Sequence, residues 1–322
     1  MKKNSVLFFL KPRKKVKPRK KEGIDKFNLK RDYQLYLLIF IPMVYFIIFK
    51  YFPMYGVTIA FKDYNMFAGI FESPWVGFEH FKNILGLTAF KRALRNTMML
   101  NMLDLLFMFP APIMLAICLN EIRAERFKKV SQTILYMPHF LSWAVIGNMV
   151  CQIFATHNGI VNIIIREIGF EPIPFLISRP HWVFLYIIAG IWQSAGWDAI
   201  IYIAAMAGID QSLYESADID GASRVRKIFH ITLPSIRSTI VIMLIMRIGS
   251  IMGIGFERPY VLSNPLVTEV SDVISTYVYR MGLQGGDFSQ TTAVGLFQSL
   301  VGLVLILTAN FVSKRFGEEG VW

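Results

Sequence analysis

The sequence has little charge and little of what covalent or metal chemistry requires. Of its 322 residues only 17% are charged, against about 25% in an ordinary soluble domain. Two cysteines occur, Cys118 and Cys151. Both lie in apolar surroundings outside any C-x-x-C pattern and read as buried thiols, which excludes a disulfide framework and a thiolate metal site. The histidines, His80, His139, His157, His181 and His230, are scattered without metal-ligand spacing, so no metal is expected. No Lys is followed by Ser or Thr, so the chain has no Walker-type phosphate loop to hold ATP. Paired acids and Ser–Lys dyads are absent from the apolar stretches, which argues against an intramembrane enzyme. There is no internal repeat and no segment with the composition of a soluble domain.

Long apolar runs fill the space instead. The chain is 54% hydrophobic with mean hydropathy +0.47. Six segments, near 33–52, 97–119, 137–155, 182–205, 239–254 and 292–312, approach the length of about 20 helical residues that a bilayer core requires. Each must be a helix, because a segment in lipid satisfies its own backbone groups. The predicted fold is therefore an all-α, multi-pass protein of the cell membrane with six transmembrane helices. Its domain plan is a basic tail, 1–32, and a membrane domain, 33–322.

Charge sets the orientation. The net charge is +12, and residues 1–32 hold 13 of the 34 Lys and Arg. With the N-terminus inside, the inner segments carry 23 basic residues and the outer ones 10, as the positive-inside rule requires. Both termini are thus expected in the cytoplasm. The tail reads as an unstructured segment attracted to anionic lipid rather than as a nucleic-acid binder. Residues Phe78–Arg95 read as an amphipathic helix on the outer surface.

The inner loop 206–238 carries the most information. Ser212 with Glu215 three residues on forms a capping-box pattern that starts one short helix, and Gly221 supplies a turn after it. A second helix places Val225, Ile228, Phe229 and Thr232 on one apolar stripe and ends before Pro234. By itself this could be a solvated hairpin. The spacing Glu215-Ser216-Ala217, Gly221, Ile231-x-Leu233-Pro234, however, resembles the cytoplasmic loop signature of binding-protein-dependent ABC importers. It departs from that pattern at Ser216, where Ala is usual, and at Ser238, where Pro often follows.

Further stretches extend the resemblance over about residues 30–322: Pro53–Gly56, Ala60–Asn65, Ser73–Phe78, Gly255–Tyr260, Asp272–Arg280 and Ala309–Phe311. They are similar to permeases of the maltose-permease superfamily, in the subgroup for complex oligosaccharides of aldouronate, rhamnogalacturonan or alginate type. That resemblance implies the type I importer fold and alternating access. It implies uptake of oligosaccharides, uronate-containing ones included, as against an ion-coupled secondary sugar carrier. It also implies a second homologous permease in a heterodimer, an ATPase dimer that carries ATP and Mg, and an extracytoplasmic sugar-binding protein. No cofactor is expected on this chain. Leu213, Tyr214, Glu215, Ser216, Ala217, Asp220, Gly221 and Ala222 would form the coupling helix that meets the ATPase, supported by Phe229, Ile231, Leu233 and Pro234. The outer loop 255–290, with Asn264, Pro265 and Asp272, would contact the binding protein.

Three ionisable residues fall inside the apolar segments: Asp104, Asp198 and Arg247. Such groups are expensive in lipid and mark function or a helix–helix pair. Asp198 and Arg247 lie at matching depth on adjacent spans, so mutual pairing is expected; the alternative is that Arg247 faces the path and attracts a uronate carboxylate. Trp192, Gln193, Trp197 and Tyr202 are candidates to stack on or bond a sugar, or are ordinary interfacial aromatics. Gly249-x-x-x-Gly253 suggests close helix packing.

Overall fold

A computed structural model describes residues 33–315; the basic stretch 1–32 lies outside the described residues. The chain divides after Tyr55 into two units. The first contains helix α1, Tyr33–Phe46, continued by a π-helical turn, Ile47–Tyr51. Almost every described side chain of this unit is exposed and apolar. Such a helix has no polar face to give to water.

The second unit is also helical, and among its described residues the single β feature is one bridge between Lys62 and Trp75. Helix α2, Glu79–Gly86, leads to α3, Thr88–Leu103, and through a π-helical turn, Asp104–Met108, to α4, Pro110–Asn120. Then come α5, Glu125–Tyr136, α6, Trp143–Ile153, and α7, Ile160–Glu167. The long α8, Arg179–Ala207, precedes two short helices, α9, Gln211–Ile219, and α10, Arg224–Lys227. There follow, among shorter helical turns, α11, Arg237–Gly249, α12, Glu257–Leu262, α13, Ile274–Val278, and α14, Phe288–Arg315.

Among the described residues, four helical runs are long and apolar enough to cross a bilayer: Tyr33–Phe61, Thr88–Asn120, Arg179–Ala207 and Phe288–Arg315. The third and fifth expected segments are not straight. Glu125–Phe140 meets Trp143–Ile153 at 100°, and Arg224–Ser235 meets Arg237–Gly249 at 62°. Each bend follows a proline, Pro138 or Pro234, whose missing N–H and ring break the helical ladder. The expected amphipathic helix Phe78–Arg95 is also two helices, parted at Leu87. Its C-terminal half belongs to the long run through α3 and α4.

Three apolar clusters hold the second unit together. One joins α3, α6 and α8 around Leu100, Ile146, Trp182 and Tyr186. There the Trp182 indole N–H donates to the Leu262 carbonyl at 2.7 Å. Another packs Phe90, Ile274, Tyr277, Ala293 and Val294. The third joins α4 and α8 through Ala116, Ala199, Tyr202 and Met206. Gly249 packs directly against Ile306 of α14, as its small-residue pattern suggests. Cys118 and Cys151 are exposed, not buried. Apolar neighbours in a chain of this kind line outward helix faces as readily as the core.

Candidate functional site

Two regions gather polar chemistry. The first is the segment between α8 and α11. Helix α9 is capped by Asp210 and starts at Gln211, not at Ser212. The Asp210 carboxylate accepts from the Ser212 backbone N–H at 2.9 Å, and this bond holds its carboxyl below the usual carboxylate range. The capping box expected at Ser212 is therefore displaced by a stronger cap two residues earlier; Ser212 lies inside the helix, its carbonyl accepting from Ser216 Oγ. At the other end, Gly221 has φ +71°. The Ala222 N–H reaches the Ala217 carbonyl at 2.9 Å and the Gly221 N–H reaches Asp218 at 3.1 Å. Together these form a Schellman stop, which needs a left-handed residue. Ser223 then caps α10 by accepting from the Arg226 N–H.

Two side-chain links clamp this hairpin. Tyr214 Oη meets Thr232 Oγ1 at 2.9 Å, and Lys227 Nζ donates to Asp218 at 2.7 Å. Glu215, Ser216, Asp220 and Pro234 are exposed, while Ala217, Ala222, Ile231 and Leu233 are half-buried. Leu213, Ile219, Val225 and Phe229 present apolar side chains outward, Ile219 at 87% exposure. Of the expected apolar stripe, Val225 and Phe229 are exposed while Ile228 is half-buried and Thr232 buried. A π-helical turn at Ile228–Thr232 shifts the register, and buried Thr232 faces Tyr214. Ile219 was not singled out in the sequence, although an apolar side chain in the last turn of a short polar helix is a legible signal.

The second region is a cavity of about 580 Å³, lined among others by Asp104, Met108, Trp143, Tyr186, Gln193, Arg247, Phe256, Glu257 and Arg258. Arg258 enters it from α12 and is buried. Its Nη2 donates to Asp104 Oδ2 at 2.5 Å, and its guanidinium lies 3.7 Å from the Tyr186 ring centre and 5.7 Å from that of Trp143. A side chain at Gly190 would collide with the Arg258 guanidinium, so glycine in α8 makes the room. Arg247 reaches the same Asp104 oxygen, but only at 3.7 Å. In place of the expected Asp198–Arg247 ion pair, the carboxylate nearest Arg247 in an ion pair is Asp104. Asp198 lies in the field of Arg247 and beside Ser194.

The aromatic candidates separate. Gln193 lines the cavity. Tyr202, 1% exposed, is locked in the third core cluster and cannot stack on a solute. Trp197 stacks face to face on His139 at 4.6 Å. Trp192 lines a separate apolar groove with Met149, Ile153 and Ile188.

In the outer-loop candidates, Asp272 is an anchor rather than an exposed contact. Its side chain is 2% exposed and accepts from Arg280 at 2.8 and 3.1 Å and from Arg92 at 3.3 Å. This carboxylate raises the basicity of the Arg280 guanidinium. Asn264 donates to the Leu176 carbonyl at 2.8 Å, and Pro265 is exposed beside Leu266. Asn264, Pro265 and Asp272, with Tyr260, Tyr279 and Arg280, line a second cavity of about 600 Å³.

A family model described as binding-protein-dependent transport system inner membrane component matches residues 83–318. The chain belongs to that family. It is 47% identical to protein LplB of Bacillus subtilis (strain 168), over 91% of this chain and 92% of that one. It is 46% identical to the polygalacturonan/rhamnogalacturonan transport system permease protein YteP of the same organism, over 89% and 90%. A crystal structure of a bacterial alginate ABC transporter in complex with an alginate pentasaccharide-bound periplasmic protein superposes with a TM-score of 0.84. That match has 41% identity and covers 91% of this chain and 98% of that one. The chain is therefore a membrane-embedded permease component of an ABC importer, a transport subunit with ATP hydrolysis on a separate one.

Proposed function

We propose that this permease forms the path for oligosaccharides, uronate-containing ones in particular, delivered by an extracytoplasmic sugar-binding protein. In this reading, each bent pair is one span, so six spans cross the membrane with both termini in the cytoplasm, and 33–322 is one transmembrane domain. The chain pairs with a second homologous permease, and an ATPase dimer holding ATP and Mg docks beneath. The basic tail lies against anionic lipid.

The observation that carries this reading is the construction of α9. A nine-residue helix is marginal alone in water, yet this one is capped at both ends and clamped to the following segment. It still presents Leu213 and Ile219 outward. A rigid, exposed apolar ridge between two spans is what a cleft on another subunit requires. Movement of that ridge on ATP binding would pass to α8 and α11, which flank it, and drive alternating access. The sugar class is supported by what YteP and the alginate transporter are named for.

The test is reconstitution with a partner permease, ATPase and binding protein. ATP-dependent uptake of uronate oligosaccharides into vesicles is expected, abolished by an inactive ATPase and insensitive to ionophores. Uptake that collapses with an ionophore and persists without the ATPase would overturn it.

A further inference from the structure

Asp104 sits between two guanidiniums but is used by one. Arg258 takes Oδ2 at 2.5 Å and Arg247 approaches the same oxygen at 3.7 Å, while Oδ1 is buried without a partner. The short bond, the two rings and the burial fix Arg258 in place. Arg247 has only the long ion pair to hold it. Its guanidinium pairs with the Asp104 oxygen and with Met108 Sδ, both at 3.7 Å, Asp198 lies in its field, and its side chain is 37% exposed. A guanidinium has five donors in a planar fork. This one has no oxygen acceptor at hydrogen-bond distance among the described residues.

From these facts we infer that Arg247 is a carboxylate-binding residue on the transport path, receiving the carboxylate of a hexuronate unit in the cavity it shares with Arg258. The inference rests on the importer reading above and assigns the acidic group of its substrate to one residue. The cavity, at about 580 Å³, falls within the roughly 300–1,000 Å³ range of small-ligand sites. Its walls supply both faces of sugar recognition: Trp143 and Phe256 are flat apolar surfaces, and Gln193 and Ser250 bring polar groups. An arriving carboxylate can take both forks of Arg247. Asp104 loses almost nothing in exchange, because its bond to Arg258 persists. Glu257 also lines the cavity and is exposed; its like charge keeps the site from becoming a trap, so the carboxylate can leave again.

The route in is marked by rings. Phe256 stacks on Tyr260 at 4.6 Å and touches Tyr279 at 4.8 Å. Tyr260 and Tyr279 line the second cavity beside Arg280, and Phe256 lines the first beside Arg247. One aromatic trio therefore lies between the two cavities and offers flat surface to a sugar chain; Arg280 in the second is already held by Asp272, which leaves Arg247 as the cation open to an acidic unit.

The test uses the reconstituted importer with two probes, an oligogalacturonide and the same oligomer after chemical reduction of its carboxyl groups. Arg247→Gln is expected to lower the ratio of acidic to reduced uptake at least tenfold, and Arg247→Lys, which keeps the charge but not the fork, to lower it less. An unchanged ratio in Arg247→Gln, with the wild type importing the oligogalacturonide, overturns this inference alone. A wild type that imports no uronate oligomer overturns the substrate reading and this inference with it. Should Arg247→Gln fail to co-purify with its partners, Arg247→Lys decides: a lowered ratio sustains the inference, and a wild-type ratio overturns it.

Discussion

Asp104 and Arg258 meet at 2.5 Å across 154 residues of chain. The carboxylate comes from a π-helical turn that interrupts an otherwise continuous run, and the guanidinium from a six-residue helix lying against α8. Neither is free to swing away, because Tyr186 and Met108 close around the contact. An ion pair so buried contributes little net stability compared with a well-packed apolar pair, yet losing one partner strands the other in a medium that cannot solvate it.

That asymmetry gives the first expectation. Asp104→Asn and Arg258→Gln should each destabilise the purified permease by about 3–5 kcal/mol, read as a lowered unfolding midpoint in detergent. The double variant should recover a large part of the loss, a coupling above about 1 kcal/mol. Pairing Asp104→Asn with Arg247→Gln should give much weaker coupling, since that contact is 3.7 Å long. Equal coupling for both arginines would contradict the unequal hold on Asp104.

The start of α9 gives the second. Asp210→Asn retains an N-cap acceptor, whereas Asp210→Ala removes it. Alanine should fray α9 and weaken ATPase co-purification; asparagine should be close to wild type. The carboxyl of Asp210 is held below its unfolded value, so its contribution is complete above the unfolded pKa of about 4. It is lost as pH falls through the lower folded value. Asparagine should abolish that acid dependence, which hydrogen exchange of the α9 amides between pH 5 and pH 2 would reveal (roughly the range spanning a shifted carboxylate).

Gly221 supplies the third. An added Cβ would meet nothing within 4 Å, yet φ is +71°. The permease alone should therefore register only backbone strain, roughly 1–2 kcal/mol for alanine and less for asparagine, which tolerates the left-handed region. Docking is a different measurement. If the open space is where the ATPase sits, Gly221→Asn should weaken co-purification even though α9 remains folded. Wild-type docking in Gly221→Asn would place the ATPase elsewhere.

The sequence disclosed what depends on local chemistry. Hydropathy marked the segments near 33–52, 182–205 and 292–312, where no proline interrupts the ladder sharply, and Gly221 announced its turn. It placed the bends at Pro138 and Pro234 inside or beside straight spans, because proline kinks and proline starts look alike in one dimension. Contacts between distant segments were not legible. Arg258 read as an outer-loop charge and Arg92 as a surface one, yet they pair with Asp104 and Asp272 over 154 and 180 residues. Helix rotation decides such partners, and it is set by packing among helices. Outward apolar faces also hid the exposure of Cys118, Cys151 and Phe229, since lipid and core favour the same side chains.

Asp272 carries the last expectation. Its carboxylate holds two guanidiniums, from Arg92 on α3 and Arg280 beyond α13, and accepts from Thr276 Oγ1 at 3.1 Å. The backbone around it is bound as well: the Asn96 amide donates to the Asp272 carbonyl at 2.9 Å and to that of Glu269 at 2.8 Å. Asp272→Asn preserves shape but removes the charge, leaving Arg92 and Arg280 to repel each other across a neutral amide. A hydrogen bond to a charged group contributes about 1.5–3 kcal/mol. Both arginines are partly exposed, at 34% and 43%, which screens the loss toward the low end, about 2 kcal/mol. Arg280→Gln should cost less, because Arg92 still neutralises the carboxylate. The loop 255–290 should then loosen before the rest of the fold, seen as earlier proteolytic cleavage there. If that loop receives the sugar-binding protein, Asp272→Asn should reduce stimulation of the ATPase by binding protein more than unstimulated hydrolysis. Equal loss of both would show that Asp272 serves the fold as a whole rather than the surface the loop presents.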